Sequence, residues 1–176
     1  MTEEEFQKNL DKYDFLLDGI PEKEAVKSAV ALFQKGATLG ELVGLDSDKL
    51  EIMYAYAYNL YSSGQYADSE KIFRALVVYD GSKTKYWVGL AACRENQKAY
   101  AEAAELYAMG ATMGGLEDPE PMYYSALCRL KADQKENAIA ALEFIDIMGK
   151  GNKPHDLQIK AKAKAMLETL KQVENK

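Results

Sequence analysis

Three groups of side chains in this 176-residue sequence have types and spacings that could do chemistry: a single histidine, a pair of cysteines and a cluster of tyrosines. His155 stands in the loop-like stretch Gly149-Lys-Gly-Asn-Lys-Pro-His-Asp156. A histidine so placed is usually solvated. No glycine-rich phosphate loop, nucleophile elbow or metal-ligand spacing accompanies it, so no catalytic group, metal or cofactor is expected. Cys93 and Cys128 lie 35 residues apart at the same place in two successive repeats of the pattern derived below. Equivalent helices of neighbouring repeats run about 8–10 Å apart, whereas a disulfide needs its Cα atoms within about 7 Å. Two free, buried thiols are the expectation.

The tyrosines are the stronger signal. There are 12, against 5 Phe and 1 Trp, and all but Tyr13 fall between Tyr54 and Tyr124. Tyr54, Tyr58 and Tyr61 stand at i, i+4 and i+7, one stripe of a helix. Tyr56 between them turns toward a partner helix. Met53, Tyr56, Ala57 and Leu60 already supply a packing face, which leaves the stripe free to look outward. A rigid wall of tyrosines offers large contact area and a hydroxyl at low entropic cost, the chemistry of peptide capture.

The elements that must position these side chains follow from an internal repeat. Ala57, Ala91 and Ala126 align at offsets of 34 and 35, and the same offsets carry Met53 to Trp87 to Met122, Ser69 to Ala103 to Ala138, and Phe73 to Tyr107 to Leu142. Large, small, small, large at this period is the tetratricopeptide pattern: antiparallel helix pairs whose small residues let two backbones approach. With Leu50 first, the repeats run 50–83, 84–118 and 119–152. Turn signals stand at Ser63-Gly64, Asp80-Gly81 and Gly114-Gly115, and Pro119 and Pro121 suit a helix start.

Residues 1–49 read as N-terminal helices. Thr2 to Glu5 form a capping box ahead of the stripe Phe6, Leu10, Tyr13 and Leu17, a candidate for dimerisation. Pro21 opens a second helix with Val26, Ala29, Val30 and Phe33 on one face, and residues 38–45 form a short connector. Residues 153–176 form a capping helix with Leu157, Ala161, Ala165, Met166, Leu167 and Leu170 turned inward. Solenoids need such caps. The fold expected is all-α, three tetratricopeptide repeats in a right-handed superhelical array with flanking helices.

In such an array the first helix of each repeat lines the concave side. Its inward positions are Glu51, Tyr54, Tyr58, Tyr61 and Ser62; then Lys85, Val88, Ala92, Glu95 and Asn96; then Glu120, Tyr123, Leu127, Leu130 and Lys131. The lysine and asparagine clamp with which related adaptors hold a C-terminal carboxylate is absent, its places being taken by Tyr54, Tyr58, Gly89, Glu120 and Tyr124. An apolar, aromatic groove with acidic edges suits an internal, extended, hydrophobic segment.

Charge narrows the partners further. The net charge is −6: residues 1–50 carry 6 basic and 11 acidic groups, 51–149 carry 9 and 14, and 150–176 carry 7 and 3. An acidic body repels nucleic acid. No stretch approaches the roughly 20 apolar residues of a membrane span, and the acidic start Met1-Thr-Glu-Glu-Glu-Phe6 is unlike a secretory signal, so a cytoplasmic protein is expected.

Specific strings go beyond the bare repeat. Gly36-Ala-Thr-Leu39 leading to Gly44-Leu45, then Tyr54-Ala-Tyr-Ala-Tyr58, Phe73-Arg74, Tyr79-Asp80, Gly89-Leu-Ala-Ala92 and Ala103-Ala-Glu-Leu-Tyr-Ala108 resemble the class II chaperones of bacterial type III secretion, the LcrH/SycD family, over residues 36–148. The third repeat departs from the family's usual Gly-Gln-Cys with Ala126-Leu-Cys128. The resemblance implies a cytoplasmic chaperone without ATPase activity that holds hydrophobic translocator proteins before secretion. A short cargo segment of the form Pro/Val-x-Leu-x-x-Pro would lie along Tyr54, Tyr58 and Tyr61; the residues' own pattern adds Lys85, Val88, Ala92, Glu95, Tyr123 and Leu127. It also implies homodimerisation through N-terminal helices. The competing reading is a generic tetratricopeptide scaffold that binds another peptide segment.

Overall fold

The computed structural model describes Leu32 and residues 36–148 and 153–174, and these form helices joined by turns, with no strand among them. A short α1 (Leu39–Leu42) precedes three antiparallel pairs: α2 (Ser47–Ser62) with α3 (Tyr66–Tyr79), α4 (Thr84–Asn96) with α5 (Tyr100–Met113), and α6 (Glu120–Lys131) with α7 (Lys135–Ile147). α8 (Pro154–Glu174) follows. From α2 on, each helix packs chiefly on its sequence neighbours, α1 packs on α3, and the first helices α2 and α4 also touch. This is the tetratricopeptide array. The stripe Phe6, Leu10, Tyr13 and Leu17 and the helix expected after Pro21 lie outside the described residues.

Local signals start and stop these helices. Thr38 caps α1 with a reciprocal box, its hydroxyl accepting from Glu41 N–H at 3.2 Å while its own N–H donates to Glu41 Oε2 at 2.9 Å. Asp46 caps α2 through Lys49 N–H at 3.0 Å. Within each pair the same turn recurs. Gln65 N–H reaches back to Leu60 O, Ala99 to Arg94 O and Gln134 to Arg129 O, each spanning five residues. The residue before each is left-handed: Gly64 at φ +79°, Lys98 at +64° and Asp133 at +59°. Glycine adopts this conformation freely, while a side chain there costs about 1–2 kcal/mol.

The aligned columns form the core. Ala57, Ala91, Ala126, Ser69, Ala103 and Ala138 are fully buried, and Phe73, Tyr107 and Leu142 are at most 4% exposed. The two small columns meet directly in the first repeat, where Ser69 Oγ donates to the Ala57 carbonyl at 2.8 Å. At Gly89 the missing side chain admits the Phe73 ring, which a Cβ would meet at 2.3 Å. Cys93 and Cys128 are free and buried.

Two packing expectations are corrected. Tyr56 is 59% exposed and does not pack against a partner helix. The equivalent places explain why: Tyr86 and Leu90 of α4 are buried against the preceding repeat, in one cluster with Phe73 and Leu76 of α3, and Pro121 and Ser125 of α6 are buried too. Among the described residues no such helix precedes α2, so Ile52 and Tyr56 stand open. In α8, Leu157, Ala161 and Ala165 face outward. Ile159 and Ala163 are the buried residues, continued by Met166, Leu167 and Leu170 against Ala141, Leu142 and Ile145. The i, i+4, i+7, i+11 stripe from Ile159 buries an isoleucine and a methionine where the alternative stripe offers two alanines, so the larger transfer free energy sets the rotation.

Candidate peptide-binding site

Three polar bridges, each close to one repeat period long, join the successive first helices into one wall. Lys85 Nζ donates to Glu51 Oε2 at 2.6 Å, Asn96 Nδ2 to Tyr61 Oη at 3.0 Å, and Lys131 Nζ to Glu95 Oε1 at 2.7 Å. They cross from α2 to α4 and from α4 to α6. A face with i, i+4, i+7 and i+8 spacing on each first helix is what makes these partners neighbours.

The tyrosines on this wall have different surroundings. Tyr58 is 54% exposed and lies over Tyr54, with ring centroids 6.5 Å apart and planes at 25°. Tyr54 is half-buried: it meets Phe73 edge-on at 5.8 Å and Tyr86 at 5.9 Å, and the Lys85 ammonium sits 4.6 Å from its centroid. Tyr61 is half-buried, edge-on to Tyr66 at 5.4 Å. Its phenol is held above its ordinary range by burial, which the bond from Asn96 only partly opposes. Thus Tyr54 and Tyr61 divide their surfaces between core and wall, and Tyr58 presents most of its ring outward.

Farther along, Val88 and Ala92 are half-buried, and the Ala92 carbonyl accepts a second bond from Asn96 Nδ2 at 2.9 Å. Tyr123 and Leu127 are half-buried on α6. Glu95 is the most enclosed charge of the wall. Its other oxygen accepts from Tyr107 Oη at 3.0 Å. Burial, and then the Glu95 charge, push the Tyr107 phenol far above the ordinary range, and the bond to Glu95 raises the Lys131 ammonium. Lys85 and Glu95 are therefore each tied within the chain. The Glu51–Lys85 and Glu95–Lys131 pairs cancel these four charges and leave aromatic and aliphatic surface between the bridges.

Tyr124 joins this surface without having been singled out by periodicity. It stacks on Tyr107 at 5.5 Å and meets Tyr123 edge-on at 6.2 Å, and it stays exposed. The doublet Tyr123-Tyr124 was its sequence signal, since adjacent residues of a helix sit about 100° apart and both can border one groove.

No family model matches the chain. The low calcium response locus protein H of Yersinia pseudotuberculosis is 33% identical over 140 residues, covering 77% of this chain and 80% of that protein. Among solved structures, a type III secretion complex from Aeromonas hydrophila matches with a TM-score of 0.75 at 30% identity, over 85% of this chain and 98% of that one. The Yersinia enterocolitica type III secretion chaperone SycD, in complex with a peptide of the translocator YopD, matches with a TM-score of 0.65 at 33% identity, over 74% and 98%.

Proposed function

Since this chain belongs to the LcrH/SycD family of type III secretion translocator chaperones, we propose that its tyrosine wall binds an extended segment of a hydrophobic translocator and keeps that cargo secretion-competent in the bacterial cytoplasm. Membership makes it a binding protein and not an enzyme. Among the described residues no helix is long and apolar enough to cross a membrane. The proposed cargo unit is the array 50–152, and the proposed contacts are Tyr54, Tyr58, Tyr61, Val88, Ala92, Tyr123 and Leu127. Lys85 and Glu95 border them.

One observation carries this reading: Glu51 and Lys85, and Glu95 and Lys131, are spent on each other, so what remains between them for a ligand is stacked aromatic surface, aliphatic patches and the side-chain carbonyl of Asn96. Such a surface rewards burial of apolar side chains and discriminates little by charge. Covering a membrane-seeking segment prevents it from associating or inserting early. The test is co-expression with a translocator. The wild-type chaperone should keep it soluble, and Tyr58→Ala together with Tyr61→Ala should lose that protection while retaining helical circular dichroism. Loss of a central anchor typically weakens an interface by about 2 kcal/mol or more, roughly thirtyfold. Normal protection by the folded double variant would remove the groove assignment and favour a scaffold that engages partners elsewhere.

A further inference from the structure

Asn96 is the last residue of α4, and its side-chain amide is locked in one orientation. Nδ2 donates both of its protons, to Tyr61 Oη at 3.0 Å and to the Ala92 carbonyl at 2.9 Å. A carbonyl can only accept, so turning the amide over would set Oδ1 against the Ala92 oxygen, two acceptors face to face. Oδ1 is left with no donor among the described residues, and Asn96 is exposed, so this oxygen is open to a ligand. The carboxylates of the wall are already engaged. Both Glu51 oxygens accept from Lys85, Glu95 accepts from Lys131 and Tyr107, and Glu120 stands 3.3 Å from His155 Nε2.

An extended segment pressed onto aromatic surface loses water from its main chain. A buried N–H without an acceptor costs more than the bond itself would return. On the basis of the groove's proposed role, we propose that Asn96 recognises the main chain of the bound segment: its Oδ1 accepts one backbone N–H, which fixes the segment's register and excludes proline from that position. Proline has no N–H to give. Stacked rings supply no such rule, because they reward apolar area whatever the backbone carries. A neutral carbonyl also suits a peptide N–H better than a cationic side chain, which a carboxylate would hold more strongly.

Overlapping fluorescent peptides covering the translocator of the co-expression test are titrated against the full-length protein. The tightest is then remade as a series in which one backbone amide at a time becomes an ester, which removes the N–H and keeps the side chain. One position should lose affinity about three- to tenfold, the worth of a neutral hydrogen bond, and proline there should bind no better. Asn96→Ala alters an exposed side chain and should keep its helical circular dichroism. It should weaken the parent peptide to a similar degree, and the sensitive ester should cost it nothing further. If Asn96 only steadied Tyr61, the variant would weaken every peptide of the series by one factor and each ester penalty would persist. Such persistence, or a wild type indifferent to every ester, overturns the proposal and leaves the groove standing. Failure of all the peptides to bind the wild type removes the groove assignment and the proposal with it.

Discussion

Replacing Gly89 by alanine tests whether the floor of the tyrosine wall is as closely packed as the geometry says. The new Cβ would stand 2.3, 2.4 and 2.6 Å from three carbons of the Phe73 ring, 1.1 Å short of the 3.4 Å at which ordinary contact begins. The ring has nowhere to go. It is 2% exposed, and Tyr54 lies edge-on against it at 5.8 Å. Helices α3 and α4 must therefore separate. Overpacking of this kind costs about 1–3 kcal/mol, and alanine's better helix propensity returns about 1 kcal/mol. With the closest approach at 2.3 Å the cost falls in the upper part of that range, about 2–3 kcal/mol, so a net loss of about 1–2 kcal/mol remains, which for a domain of this size lowers the melting midpoint by about 2–8 °C. Calorimetry or denaturant unfolding reads it directly. Adding Phe73→Leu should relieve the clash, so that the double variant is more stable than the sum of the two single losses. If Gly89→Ala melts at or above the wild type, or the double variant shows no such coupling, the packing argument fails. The same separation would displace Tyr54, so translocator binding should weaken in Gly89→Ala as well.

Two bridges of similar length should differ sharply in worth. Glu51 and Lys85 keep 49% and 39% of their side chains in solvent, and Glu51→Ala should change unfolding free energy by no more than about 1 kcal/mol. Glu95→Ala strands the hydroxyl of Tyr107, a residue only 4% exposed, and should cost about 1–3 kcal/mol in urea titration; equal losses would contradict this. Alkaline stability follows from the buried phenols and thiols. Burial, aided by Glu51, lifts Tyr86 to about 12, and burial, aided by Glu95, lifts Cys128 to about 12. The unfolded chain releases these protons first, so the stabilisation is complete below about pH 9 and is lost as pH rises toward 12. The melting midpoint should fall over that interval, and neither thiol should react with a disulfide reagent in the native protein at pH 8. A flat midpoint from pH 9 to 12 would refute the assignment.

What could be read in the residues depended on how local the cause was. The alanine columns and the Phe73, Tyr107 and Leu142 column carry the period because each repeat packs on its neighbour in the same way, and all of them are buried. Tyr56 was misread because its environment depends on what precedes α2, and its own helix pattern holds no record of that. The face of α8 differs from the expected one because Leu157 draws the eye to a stripe that continues in Ala161 and Ala165, whereas the stripe from Ile159 through Met166 and Leu170 holds the larger apolar side chains. Position alone placed Glu51, Lys85, Glu95 and Lys131 on the wall. Their pairing needed the superhelical rotation that brings residues one period apart into contact. The turn at Lys98 gave no signal because a lysine there tolerates a conformation that glycine advertises at Gly64.

That each helix from α2 on packs chiefly on its sequence neighbours bears on timing in the cell. Such a chain has low contact order, and its core grows by accretion instead of waiting for distant segments to meet. The first buried cluster, from Leu50 to Cys93, closes once α4 is made, and each later repeat adds its layer about 34 residues on. At ordinary synthesis rates of about 5–20 residues per second, that is one layer every 2–7 seconds or so. A holder of aggregation-prone cargo built in this way acquires its proposed binding wall from the first repeat onward while its own translation is still under way.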